Sequence, residues 1–318
     1  MQVPPAGQGF PPYVSTGRTP FFGVVLGLAA GATVATVLAV LYAIAIVYIP
    51  YVYVLCLLTM LFGWAVGGTV AGVMHALKVR SASVVLLACF AMGAFAWLLS
   101  WPAWILVVFF RAEVPLGPLD VLEPSFFLDA LGQIYETGTW SLGSSSPAVS
   151  GALLGAFWLA EAGLVVSFST LAMMVAYAEQ EFCEACGSWF TILREQARYD
   201  RDAADAIRDA LAVSGDLSVL ASAPPPGPPK PMEPRQWASL RLGFCRTCGE
   251  TNLVGLDIVA ERVGPTGRTE RKLVEHMPYV CIRKDQMHWL REGLARAQRS
   301  AGVELLRSAE QKQLDGNG

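Results

Sequence analysis

Four cysteines of this chain fall in two short segments of one design. Glu181 to Phe190 reads EFCEACGSWF, and Leu242 to Glu250 reads LGFCRTCGE. In each, two cysteines stand three apart and a glycine follows the second: Cys183, Cys186 and Gly187, then Cys245, Cys248 and Gly249. Cysteines at this spacing on a tight turn can aim both thiolates at one metal, and the glycine supplies the backbone geometry that turns amides toward the sulfurs. Two such knuckles make a tetrahedral four-sulfur site, for which Zn²⁺ is the best-matched ion inside a cell. A redox pair is the competing reading. A thioredoxin-like C-x-x-C sits at a helix N-terminus after a strand. Here the first pair follows an apolar stretch and the second enters a strand-like one, with no βαβ pattern around either. An incidental surface turn is the third reading.

Other chemistry is sparse. Glu161, in FWLAEAGLVV, lies about ten residues inside an apolar run. A carboxylate in a bilayer costs roughly 2.5–3.5 kcal/mol on insertion scales and marks an ion or proton path by default. The plainer reading is a glutamate that reaches water or accepts hydrogen bonds from a neighbouring helix. Cys56 and Cys89 lie in apolar runs and read as small hydrophobes. Cys281, His276 and His288 stand alone and read as core or surface residues. Zinc held by four cysteines leaves no open position for water. No nucleophile elbow, phosphate-cradling loop or H-E-x-x-H is present, so no enzyme is expected.

The elements that must carry these residues follow from composition. Of 318 residues, 54% are hydrophobic and only 15% charged, against about 25% charged in a soluble protein. From Thr19 to Leu77 there is no Asp, Glu, Lys or Arg, a run long enough for two spans of about 20 residues each. This reads as a protein of the lipid bilayer. The first apolar run is too long for a cleaved signal peptide, and its only upstream cation is Arg18. Four spans are expected, at about 21–47, 54–77, 83–110 and 152–178. Pro50 among Tyr48, Tyr51 and Tyr53 makes the turn between the first two. Gly23, Gly27, Gly31 and Ala35 share one face of the first span, and Gly63, Gly67, Gly68 and Gly72 mark the second, where small residues let helices approach. These faces leave room for a homo-oligomer. Trp97, Trp101 and Trp104 read as an aromatic belt, and PSFFLDALGQIYETG, in the loop before the fourth span, as a surface helix.

Nineteen of the 23 cations lie beyond the fourth span, with Arg18, Lys78 and Arg80 on the same expected side and Arg111 alone on the other. The positive-inside rule then places both termini in the cytoplasm of an inner (plasma) membrane protein. No basic block points to nucleic acid. Residues 1–20, rich in Pro and Gly, read as a disordered tail.

Residues 179–318 form the soluble part. Strands are expected at about 237–244, 251–263 and 270–282, the last two joined by GPTGR, with a closing helix from Asp285. With its knuckles quoted above and this β-type sequence, the segment resembles a zinc ribbon over residues 182–189 and 237–282. The resemblance implies a small antiparallel sheet holding a structural metal. Fifty-eight residues (187–244) separate the two pairs, more than the roughly 15–20 of a compact site. Helices at about 190–222 and a Pro-rich connector at 223–234 are therefore expected to loop out of the ribbon. The fold class expected is a mainly α membrane protein: four transmembrane helices plus a cytoplasmic α+β zinc-ribbon-like module. Its expected role is a scaffold for a cytoplasmic protein partner; the alternative is a small-solute or ion transporter using Glu161. Cys183 lies just past the fourth span, so a metal there would join the module to the membrane exit.

Overall fold

The computed structural model describes residues 9–49, 51–115, 117, 119–138, 148–177, 181–227, 235–263, 269–297 and 299. The chain divides into two compact units. One spans Thr16–Ala178, and the other joins Met1–Ser15 to Glu179–Gly318.

The first unit is built on α1 (Phe21–Tyr48), α2 (Val52–Ala76), α3 (Ala82–Arg111) and α5 (Gly151–Ala176), with the shorter α4 (Pro124–Thr137) before α5. The four long helices are long and apolar enough to cross a membrane. Apart from His75, Arg111 and Glu161 they contain no Asp, Glu, Lys, Arg or His. Their ends have local causes. Ser81 Oγ accepts from the Val84 amide (3.4 Å) to start α3, and Gly138 takes φ 74° to stop α4. Lys78, at φ 62°, follows the end of α2.

Small residues decide how the helices meet. Gly23, Gly27, Gly31 and Ala35 are all buried on α1, and a Cβ on Gly27 or Gly31 would run into Met74 or Val70 of α2. On α2 the close approach is to backbone: a Cβ at Gly63 or Gly67 would lie 2.3 or 2.1 Å from the carbonyl oxygens of Val165 or Ser169 on α5. Ser169 Oγ then donates to the Cys89 carbonyl of α3 (2.7 Å), tying the third helix to the same spot. The tryptophans of α3 meet rings of other helices: Trp101 meets Trp158 of α5 edge-on (4.6 Å between ring centroids), and Tyr135 of α4 lies 6.1 Å from the same ring.

The second unit has a long antiparallel ribbon at its centre, β5 (Arg235–Phe244) against β6 (Thr251–Val263). Two shorter strands flank each side. β3 (Thr191–Leu193) and β4 (Arg198–Asp200) pair with β5, and β7 (Thr269–His276) and β8 (Val280–Arg283) pair with β6. A separate hairpin, β1 (Phe182–Cys183) with β2 (Ser188–Trp189), precedes them. Ala238, Leu240 and Leu242 alternate on one face of β5, with Val254, Leu256 and Ile258 beside them on β6. Covering this face are α6 (Ala203–Asp209), a π-helical turn at Ala210–Ser214, α7 (Ser218–Ser222) and α8 (284–297), through Ile207, Leu211, Leu220 and Leu290. The opposite face buries a polar cluster. Arg241 is 1% exposed, pairs through Nε with Asp257 (2.9 Å), lies over the Tyr279 ring (4.5 Å), and has His276 Nδ1 2.7 Å from its terminal nitrogen.

Three sequence expectations change here. Part of the expected tail is strand-like: Pro12 bridges Val280, the Tyr13 amide donates to the Tyr279 carbonyl (2.7 Å), and the Cys281 amide donates to the Pro11 carbonyl (2.9 Å). Phe10 enters the core, because residues 9–15 meet the open edge of β8 and a hydrophobic slot beside Leu211. The segment between the knuckles does not loop out. Its first part returns as β3 and β4, and its helices bury Ala204, Ile207, Leu211, Leu217 and Leu220 over the sheet. The third strand is two: β7 follows the C-terminal half of β6 and β8 its N-terminal half, with Met277 and Tyr279 buried at the step between them. GPTGR (264–268) lies outside the described residues, as do residues 1–8 and much of the Pro-rich connector.

Candidate metal centre

The two knuckles are built alike. In the first, Cys183 ends β1, the Gly187 amide donates to the Cys183 carbonyl at 2.9 Å, and Gly187 takes φ 67°. In the second, Cys245 follows β5, the Gly249 amide donates to the Cys245 carbonyl at 2.9 Å, and Gly249 takes φ 66°. A side chain is strained in that left-handed region, which is why glycine follows each pair. The first knuckle is the turn of the β1–β2 hairpin, and the second is the turn of the β5–β6 ribbon. Each therefore hangs on strands, and β3, following β2 closely, pairs with the end of β5 that carries Cys245.

Fifty-eight intervening residues do not keep the pairs apart. One sulfur from each of Cys183, Cys186, Cys245 and Cys248 lies within 4.8 Å of the other three. Cys183 and Cys248 sulfurs are 3.8 Å apart and those of Cys186 and Cys245 3.0 Å, both beyond the ~2.05 Å of a disulfide. An ion bonded tetrahedrally to four sulfurs at about 2.3 Å needs them about 3.8 Å apart, so this donor set fits such an ion with small adjustment. The Cys248 amide faces the Cys245 sulfur (3.5 Å), and Ser188 Oγ lies 3.2 Å from Cys186 and 3.3 Å from Cys245.

Electrostatics among the thiols are uneven. Burial pushes the Cys183 thiol up to about 12. Burial also opposes ionisation of Cys245, but hydrogen bonds from Cys186, the Cys248 amide and Ser188 outweigh it and pull that thiol down to about 5. Hydrogen bonds of this kind favour the thiolate, the form that binds metal. Cys281 packs in the same small cluster with Leu253 and Tyr279, outside the four-sulfur group, and burial raises its thiol to about 11.

Sequence reasoning missed the residue that braces the first knuckle. Tyr13 Oη accepts from the Phe182 amide (2.9 Å) and donates to the Phe182 carbonyl (3.2 Å), clamping the residue before Cys183. Its ring meets Phe190 edge-on at 6.2 Å. A tyrosine in a Pro/Gly-rich stretch carries no periodic signal that would have assigned it this place. His276, read as isolated, also has neighbours, lying beside both Arg241 and Asp257. His288 is exposed beside Glu292.

Glu161 belongs to the helical unit. The Tyr42 hydroxyl of α1 lies 2.6 Å from its Oε1 and 2.7 Å from Thr59 Oγ1 of α2, and Thr59 Oγ1 donates to the Leu55 carbonyl at 2.9 Å. Among known proteins, no family model, curated protein or solved structure matches this chain.

Proposed function

We propose that this is an integral membrane protein whose cytoplasmic module binds one structural Zn²⁺ through Cys183, Cys186, Cys245 and Cys248 and presents a docking surface to a partner protein. The observation that carries the reading is the convergence of four thiols, from two knuckles of like geometry, within 4.8 Å. Zinc prefers four sulfurs over the oxygen ligands that suit Mg²⁺ or Ca²⁺, and a closed Cys₄ site orders structure. Metal bound there would fasten the β1–β2 hairpin to the turn of the central ribbon.

Residues on both sides of the four long helices build this module, which supports placing both ends of the chain in one compartment. The excess of Lys and Arg beyond α5 supports reading that compartment as the cytoplasm. For the partner, a candidate surface is an open groove of about 860 Å³ between the second knuckle and α8, where Lys284, Arg291, Arg296 and Arg299 outnumber the single carboxylate of Glu292. Its cations suit an acidic protein segment.

Metal analysis of the full chain, purified under reducing conditions, tests the reading. One zinc per chain is expected, lost when the four cysteines are changed to serine. Substoichiometric zinc in the unaltered protein would sink it. Capture of a partner by the full chain should weaken with chelator and with Arg291→Glu plus Arg296→Glu; capture indifferent to both would remove the docking role.

A further inference from the structure

Hydrogens can be counted along the contacts of Glu161. Three oxygen pairs lie in line: Glu161 Oε1 with Tyr42 Oη (2.6 Å), Tyr42 Oη with Thr59 Oγ1 (2.7 Å), and Thr59 Oγ1 with the Leu55 carbonyl (2.9 Å). Oxygens at these distances are held by a hydrogen between them, so three contacts need three hydrogens. The Leu55 carbonyl only accepts, so Thr59 spends its hydrogen there. Tyr42 has one hydrogen. If Glu161 is ionised, that hydrogen goes to the carboxylate, and the Tyr42–Thr59 contact is left with lone pairs facing each other. Water does not relieve such a contact readily, since Tyr42 and Thr59 are only 6% and 4% exposed. A proton on Glu161 supplies the missing hydrogen. The acid then donates to Tyr42, Tyr42 to Thr59, and Thr59 to Leu55, and every contact is satisfied.

We infer that Glu161, Tyr42 and Thr59 form a proton-binding site, with the proton carried on the Glu161 carboxyl and the two hydroxyls orienting it. The proton is taken from bulk water and returned there; no other bond changes. The surroundings offer a carboxylate little compensation. Among the described residues, the groups facing the cluster are Tyr42 from α1, and Thr59 and Cys56 from α2. Arg111, at the end of α3, is engaged with the Val47 carbonyl (3.0 Å) and the Tyr48 ring, and His75 lies near the last turn of α2 against the Tyr177 ring. Loss of the proton would swing the Tyr42 hydrogen from Thr59 to Glu161. The α1–α2 link would break while the α1–α5 link stayed, so proton occupancy is converted into a change of helix contacts.

Infrared difference spectroscopy on the full chain in lipid nanodiscs at neutral pH provides the test. Wild type should show a carboxylic-acid C=O band that disappears in Glu161→Gln. In Tyr42→Phe the acid loses its acceptor, so the band should move to higher frequency, and Thr59→Val should move it part of the way. A band that Glu161→Gln does not remove, or one that Tyr42→Phe leaves in place, would overturn the proposal. Dicyclohexylcarbodiimide, which attacks protonated carboxyls in apolar surroundings, gives a check that needs no variant. Peptide mapping of treated wild type should find the adduct on Glu161, and its absence would count equally against the site.

Discussion

Tyr13 shows how much can rest on a residue that no pattern announces. It holds both backbone groups of Phe182, so Tyr13→Phe removes two hydrogen bonds beside the first knuckle, at a cost of about 1–3 kcal/mol. We expect zinc to leave that variant faster when a chromogenic chelator competes for it, with zinc content at rest unchanged. Arg241 is a second such residue. Arg241→Met would leave Asp257 with only His276 beside it, and breaking a buried pair costs up to about 3–5 kcal/mol. Denaturant unfolding of the module should report a loss of that order. The grouping of the four cysteines was legible because each pair has the same spacing and a glycine after it, which puts two sulfurs on each of two like turns. Tyr13, Arg241 and His276 were not legible, because each depends on which strand lies beside it in three dimensions.

At the scale of elements, the apolar runs and their small-residue faces could be read directly, since a helix in hydrocarbon must satisfy its own backbone and pack by close approach. The spacing could not say which glycines are filled against a neighbour. A Cβ on Gly67 would stand 2.1 Å from the Ser169 carbonyl oxygen, whereas one on Gly72 would meet nothing within 4 Å. Gly67→Leu should therefore lower the thermal midpoint of the purified protein sharply, and Gly72→Leu should leave it nearly unchanged. The strands β3 and β4 were missed for another reason. Each has three residues, too few for alternation to show, and they form because β5 offers an edge. The same sheet separates two kinds of order. Its helix-covered face has an apolar core of its own, while the knuckles rest on sulfur. Chelation should thus speed amide hydrogen exchange at 182–189 and 245–250 and leave 238–242 protected. Loss of protection throughout the ribbon would contradict that division.

At the scale of the whole molecule, the second unit is assembled from both ends of the sequence, and composition alone hid this. Pro and Gly favour extended chain whether it is free or fastened to an edge. Gly9 lies against the backbone of the π-helical turn, where a Cβ would meet the Ala212 carbonyl oxygen, and Phe10 is in the core. Deleting residues 1–15 should leave the four long helices intact and reduce zinc retention, measured by metal analysis after gel filtration. The arrangement also imposes a schedule. Tyr13 emerges from the ribosome early, but its partners Phe182 and Tyr279 follow far later. At about 5–20 residues per second, that gap is on the order of tens of seconds. Through that interval the leading segment must stay unattached while the four long helices between are made. A strand made after all four long helices, β8, is thus edged by a segment made before any of them.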